Sequence, residues 1–127
     1  MPADTHRLFQ IYSAGNFIEA TPTTPFVQIG ETKYGKPILD RIVTHDCDLI
    51  RMTKCALLSY SSTIRSNLSV APPIDIAIYR RDSFQTPLQI NVPEGDVYFD
   101  TLCDRYGQGL IDMFNRLPDP AWLASVR

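Results

Sequence analysis

Two short apolar, aromatic and β-branched runs, Arg7 to Tyr12 and Phe17 to Thr21, flank Ser13-Ala14-Gly15-Asn16. Glycine and asparagine tolerate the positive φ of a tight turn, so the runs predict an antiparallel hairpin. Beyond a Thr-Pro-rich connection, Phe26 to Ile29 predicts a short third strand, and Gly30 lets the chain turn sharply out of it. Pro37 suits the first turn of a short helix running to about Val43. Glu31, Thr32 and Lys33 are thereby left on an exposed turn.

Leu49, Met52, Leu57, Tyr60 and Ile64 recur at helical spacing. They predict a second, longer helix, capped by Asp46 or Asp48 and ended at Asn67. Cys55 and Ala56 are small enough to let a neighbouring layer approach it. The extended Pro72-Pro73 pair then delivers Ile74 to Tyr79 as a strand, and Leu88 to Val92 is its expected partner. From Val97 to Leu117 the residues Leu102, Cys103, Tyr106, Leu110, Ile111, Phe114 and Leu117 form another helical stripe, stopped by Pro118 and Pro120. Strands, two helices, strands and a helix in that order indicate an α+β layer protein, expected as a single domain over 1–127.

At 127 residues, 44% hydrophobic and 20% charged, the composition is that of one small globular domain. A net charge of -2 with mixed signs offers no basic stripe for phosphates and no polybasic anchor for lipid, so neither nucleic acid nor membrane is expected as a partner. The polar N-terminus and the lack of a run near the ~18 residues of a membrane span favour the cytoplasm. Cys47, Cys55 and Cys103 are an odd set without C-x-x-C spacing, which argues against a disulfide framework or zinc site.

Thr24-Pro25-Phe26-Val27-Gln28-Ile29-Gly30-Glu31-Thr32-Lys33-Tyr34-Gly35-Lys36-Pro37-Ile38-Leu39-Asp40-Arg41, with Arg65-Ser66-Asn67-Leu68-Ser69-Val70-Ala71-Pro72-Pro73-Ile74-Asp75, resembles Anbu, a bacterial relative of the proteasome β subunit. The resemblance covers nearly the whole chain but reaches only the C-terminal half of that family. It implies the later part of a four-layer αββα N-terminal-nucleophile hydrolase sandwich, antiparallel sheets covered by helices. In such enzymes an N-terminal threonine supplies both amine and hydroxyl, attacking an amide carbonyl without metal or organic cofactor. The half that carries this nucleophile is not in the chain, so no catalytic residue is expected here.

What the resemblance assigns to this half is support for the threonine amine. Where classical proteasome β subunits read Gly-Ser-Gly, this chain reads Gly30-Glu31-Thr32, putting Glu31 at the support-serine position, as in the Anbu pattern. Ser66-Asn67-Leu68-Ser69 falls where an aspartate and a second serine are expected, with Asn67 or Ser66 in the aspartate's place. Asparagine can orient an amine by accepting a hydrogen bond but supplies no charge. A helix-capping role for Ser66 and Asn67 is the alternative.

Other chemistry is weaker. Lys33 and Lys36 follow the wrong strand for a catalytic lysine and suit a solvated face. His45-Asp46-Cys47 contains nucleophile and base types, but adjacent residues seldom face one another, and a helix-start loop is the plainer reading. His6 has no second metal-type ligand near it in sequence, and neither a P-loop nor H-E-x-x-H is present. Met1-Pro2 raises the outside case of a proline-based tautomerase. The leading expectation is the C-terminal portion of a proteasome-type threonine peptidase or amidohydrolase, inactive alone. Its partners would be the missing N-terminal half or copies of itself, in a homo-oligomer. A noncatalytic assembly subunit of a ring or spiral is the alternative.

Overall fold

The computed structural model describes residues 6–126. The chain falls into two compact units, Met1–Glu94 and Gly95–Arg127. The first opens with an antiparallel hairpin of β1 (Phe9–Ile11) and β2 (Phe17–Glu19), in register Phe9 to Glu19 and Ile11 to Phe17. Gly15 at φ 86° makes its turn, as the sequence predicts. Phe9 meets Phe17 edge to face with ring centres 5.5 Å apart, a diagonal pair on one face of the ribbon. Arg7 grips Glu19 through two hydrogen bonds of 2.7 Å each and lies over the Phe9 ring.

Phe26–Ile29 is a correction to the sequence reading. The segment pairs with no strand among the described residues. Its side chains have strand character, but a strand exists only where a neighbour completes its ladder. Gly30, at φ 77°, then turns the chain as expected.

Helix α1 (Lys36–Ile42) has Gly35 at its N-cap and Pro37 in its first turn, and ends one residue before the predicted Val43. Helix α2 (Leu49–Ser66) is capped by Asp48, whose carboxylate accepts the Arg51 N–H at 2.7 Å; of the two candidate caps, Asp48 is therefore the one used. The two helices pack together. Their seam is made of small residues: Cys55, Ser59 and Thr63, four apart, are buried, whereas Leu49 and Tyr60 of the predicted stripe are largely exposed. The buried hydroxyls stay satisfied by bonding back along the helix, Ser59 Oγ to Ala56 O at 2.7 Å and Thr63 Oγ1 to Ser59 O at 2.8 Å. Ile38, Leu39, Val43 and Leu57 complete this core.

Strands β3 (Ile74–Ile78) and β4 (Leu88–Val92) form a second antiparallel pair, with buried Ile74 opposite buried Val92. In the second unit, α3 (Val97–Arg116) is capped by Asp96, which accepts the Phe99 N–H at 2.8 Å. Its stripe is buried only in part. Leu102, Cys103 and Tyr106 are half-buried, but Leu110, Ile111, Phe114 and Leu117 are all more than half exposed, which corrects the single buried face that the spacing suggested. A short 3-10 helix, Ala121–Val126, follows the prolines. The architecture of the described residues is α+β: two small antiparallel sheets and three α-helices.

Candidate functional site

The Gly30 turn carries Glu31 to the C-terminal end of α2, and the two ends meet through side chains. Asn67 donates from Nδ2 to Glu31 Oε2 at 3.2 Å, linking residues 36 apart in sequence. Its other amide atom turns to the exposed Ser69: Asn67 Oδ1 accepts the Ser69 N–H at 2.9 Å and the Ser69 hydroxyl at 2.6 Å. Two donors on Oδ1 fix the orientation of the amide, so its NH2 group must face the carboxylate. Glu31 Oε1 in turn accepts the Lys33 N–H at 3.0 Å. Glu31, Asn67 and Ser69 thus form one chain of carboxylate, amide and hydroxyl.

Local backbone explains why they meet. Asn67 ends α2, its N–H closing on Thr63 O at 2.8 Å, and its own backbone turns extended. The side chain is thereby freed from the helix surface to bridge Ser69 and Glu31. Asn67 is thus the C-cap residue of α2 through its backbone and a link between the two turns through its side chain. Ser66 is the last residue of α2, exposed and outside the network; of the two residues open for the aspartate's place, Asn67 is the one beside Glu31. Glu31 and Asn67 are half-buried, where a carboxylate attracts a cation more strongly than at a fully wetted surface. Such a set can hold an ammonium group or orient a neutral amine.

Glu31 also stands in the wall of an apolar cleft of ≈ 430 Å³. The extended segment, with Phe26, Val27 and Gln28, forms one side, and Met52, Ala56 and Tyr60 of α2 the other. The exposed Tyr60 is therefore a wall residue of an open space, not part of the core.

The remaining candidates separate from this site. Lys36 is held by Asp40 one helical turn on, Nζ to Oδ1 2.8 Å and to Oδ2 2.6 Å, and Lys33 is exposed. His45 and Asp46 are exposed, and a hydrogen bond from Thr44 and another from its own backbone hold the Asp46 carboxyl below its usual range. Cys55 is buried with its Sγ 3.9 Å from Ile38 O, and that burial pushes its thiol up. His6 meets Asp82 at 3.1 Å, a pairing across 76 residues that sequence spacing does not reveal. No group of three or more His, Cys, Asp and Glu side chains among the described residues is arranged to hold a metal. No helix among them is long and apolar enough to cross a membrane. Pro2 lies outside the described residues.

No family model matches the sequence, and no curated protein matches it. Solved structures do. The Anbu complex of Pseudomonas aeruginosa, in its helical assembly, is 51% identical over 94% of this chain with a TM-score of 0.87. Anbu of Yersinia bercovieri, the "ancestral beta-subunit", is 51% identical over 90% with a TM-score of 0.83. Anbu of Hyphomicrobium sp. strain MC1 gives 50% over 91% and 0.86. Half-identical sequences on one backbone leave no room for fold convergence alone.

The chain belongs to the Anbu family.

It spans about half the length of these Anbu chains: 50% of the Pseudomonas chain, 48% of the Yersinia chain and 50% of the Hyphomicrobium chain. The two small sheets and three helices are accordingly part of the Anbu fold.

Proposed function

We propose that this chain is the C-terminal portion of a proteasome-type threonine peptidase or amidohydrolase with a four-layer αββα sandwich, and that it carries support groups without the nucleophile. The carrying observation is the Glu31–Asn67–Ser69 network, an amine-binding arrangement assembled from two distant turns beside an apolar cleft. Glu31 contributes charge and Asn67 direction: the carboxylate attracts the amine of a threonine supplied by the other half, while the amide fixes the carboxylate. In its neutral form the oriented threonine amine takes the proton from its own hydroxyl as that oxygen attacks the amide carbonyl, and passes it to the leaving nitrogen as the C–N bond breaks, leaving an ester that water hydrolyses. No residue described here replaces that nucleophile, so the chain by itself is inactive. The reaction calls for neither metal nor organic cofactor, peptides or other amides are its substrates, and the cytoplasm suits it.

The test is hydrolysis of fluorogenic peptides by the chain alone and after co-expression with the part of the Pseudomonas Anbu chain that it leaves uncovered. Turnover is expected only in the second case, with inhibition by an amine-directed epoxyketone. Robust, epoxyketone-sensitive turnover by the repurified chain alone would overturn the reading.

A noncatalytic assembly subunit is the second reading. The observation that favours it is surface: Ile18 and Phe17 on β2, Ile29, Ile50 and Leu68 are all more than half exposed, apolar surface that an assembly would cover. The Pseudomonas relative forms a helical assembly. Reading the DNA upstream of Met1 separates the two: an in-frame threonine-bearing half supports the enzyme, an unrelated gene the assembly subunit.

A further inference from the structure

Gln28 is anomalous. Its Oε1 is buried, with less than 1 Å² exposed, and no group among the described residues donates to it. A buried acceptor left unsatisfied loses its bonds to water without replacement, and native proteins rarely keep one. Gln28 stands in the wall of the apolar cleft, on a segment with strand character that has no strand beside it among the described residues. Cleft, unpaired segment and orphaned oxygen coincide at one place. About half the Anbu length lies outside this chain and is available to fill it.

The geometry points to Gln28 as a positioning residue for an extended apolar strand, supplied by the part of the Anbu protein that this chain leaves uncovered. The strand lies along Phe26–Ile29 over Met52 and Ala56, and one of its N–H or O–H groups donates to Gln28 Oε1. Each part of the arrangement has its own role. The apolar walls give affinity by excluding water. The Phe26–Ile29 backbone offers the ladder groups of a strand edge, as in strand addition. Gln28 sets register, because a shift of one residue turns the incoming donor to the opposite face and strands the amide again. The inference rests on the reading of the chain as part of a larger hydrolase, but it concerns assembly and not chemistry.

The experiment titrates this chain with the uncovered portion of the Pseudomonas Anbu chain, following binding by calorimetry and amide protection of Phe26–Ile29 by hydrogen exchange. Saturable binding that protects those amides is expected. Gln28→Met keeps the volume and removes the acceptor, and should weaken binding about tenfold, the worth of one buried hydrogen bond. Ala56→Trp, which fills the cleft, should abolish binding. Circular dichroism of each variant before titration confirms folding. A Gln28→Met variant that binds as tightly as the parent would show that the side chain only packs, and would overturn the proposal. So would protection of Phe26–Ile29 by self-association that the added portion does not compete away. Binding without hydrolysis leaves Gln28 in its role and removes the threonine reading; hydrolysis with unchanged Gln28→Met binding does the reverse.

Discussion

Gly35 approaches Ser59 so closely that a Cβ built on the glycine would lie 2.9 Å from the serine Cβ and 3.2 Å from its carbonyl oxygen. The start of α1 therefore rests directly on the middle of α2, and the small-residue seam of Cys55, Ser59 and Thr63 exists to admit it. Both of these serine atoms are backbone or Cβ, which cannot rotate away. Gly35→Ala should cost about 1–3 kcal/mol, the usual penalty of overpacking, despite the helix propensity that alanine brings. Urea denaturation monitored by circular dichroism measures it; an unchanged midpoint would mean that α1 shifts freely on α2.

That seam also shows which parts of the fold are legible in the sequence. Asp48, Pro37, Asn67 and the proline pairs are local signals, and the helix and strand boundaries they set agree with the structure to within a residue or two. Phe26–Ile29 failed because pairing is a relation between two segments, and the described chain offers no second one. Leu110 to Leu117 have helical spacing whether or not anything covers them, so periodicity alone cannot distinguish a buried stripe from an exposed one. The Glu31–Asn67 contact was reachable only through the family resemblance, since nothing in the spacing of residues 36 apart predicts a hydrogen bond. Gln28 gave no signal at all: a lone polar residue in an apolar run reads as a solvent-facing strand position.

The capping of α2 offers a control on the same helix. Asp48 accepts the Arg51 N–H at 2.7 Å, whereas Asp46 is exposed and engaged with Thr44. Asp48→Ala should destabilise the protein by about 1 kcal/mol. Asp46→Ala should fall within about 0.5 kcal/mol of the parent, as surface substitutions do. Paired thermal melts give both values; equal losses would mean that the helix start is shared between the two carboxylates.

The β1–β2 hairpin has a pH dependence of known sign. The hydrogen bond from Arg7, with its positive charge, holds the Glu19 carboxyl below its usual range, and Glu19 raises Arg7 in return. A carboxyl depressed in the folded state stabilises it above its unfolded titration point, and that stabilisation disappears as the pH falls through the folded one. Both groups are at the surface, so the effect is small and screened by salt. Acidification should loosen the hairpin in the acid range, read from amide exchange at Gln10 and Ile18. Glu19→Gln should remove that pH dependence while leaving the Phe9–Phe17 contact in place.

Glu31 and Asn67 give the sharpest test of the proposed site, because the proposal gives them different jobs. In a complete Anbu parent, Glu31→Gln keeps the shape and a hydrogen bond to Asn67 but removes the charge proposed to attract the threonine amine. Hydrolysis should fall about 10- to 100-fold, the range of a lost charged hydrogen bond, and the pH–rate profile should shift because the amine has lost its counter-charge. Asn67→Ala removes the bridge to Ser69 as well as the contact to Glu31, so some loss of stability should accompany the loss of rate. Asn67→Asp separates these effects. It retains the acceptor for Ser69 but sets a second carboxylate against Glu31, whose repulsion should loosen the two turns at neutral pH and relax on acidification. A Glu31→Gln parent with an unaltered rate and pH profile would confine the network to structural support of the α2 terminus, however well its geometry suits an amine.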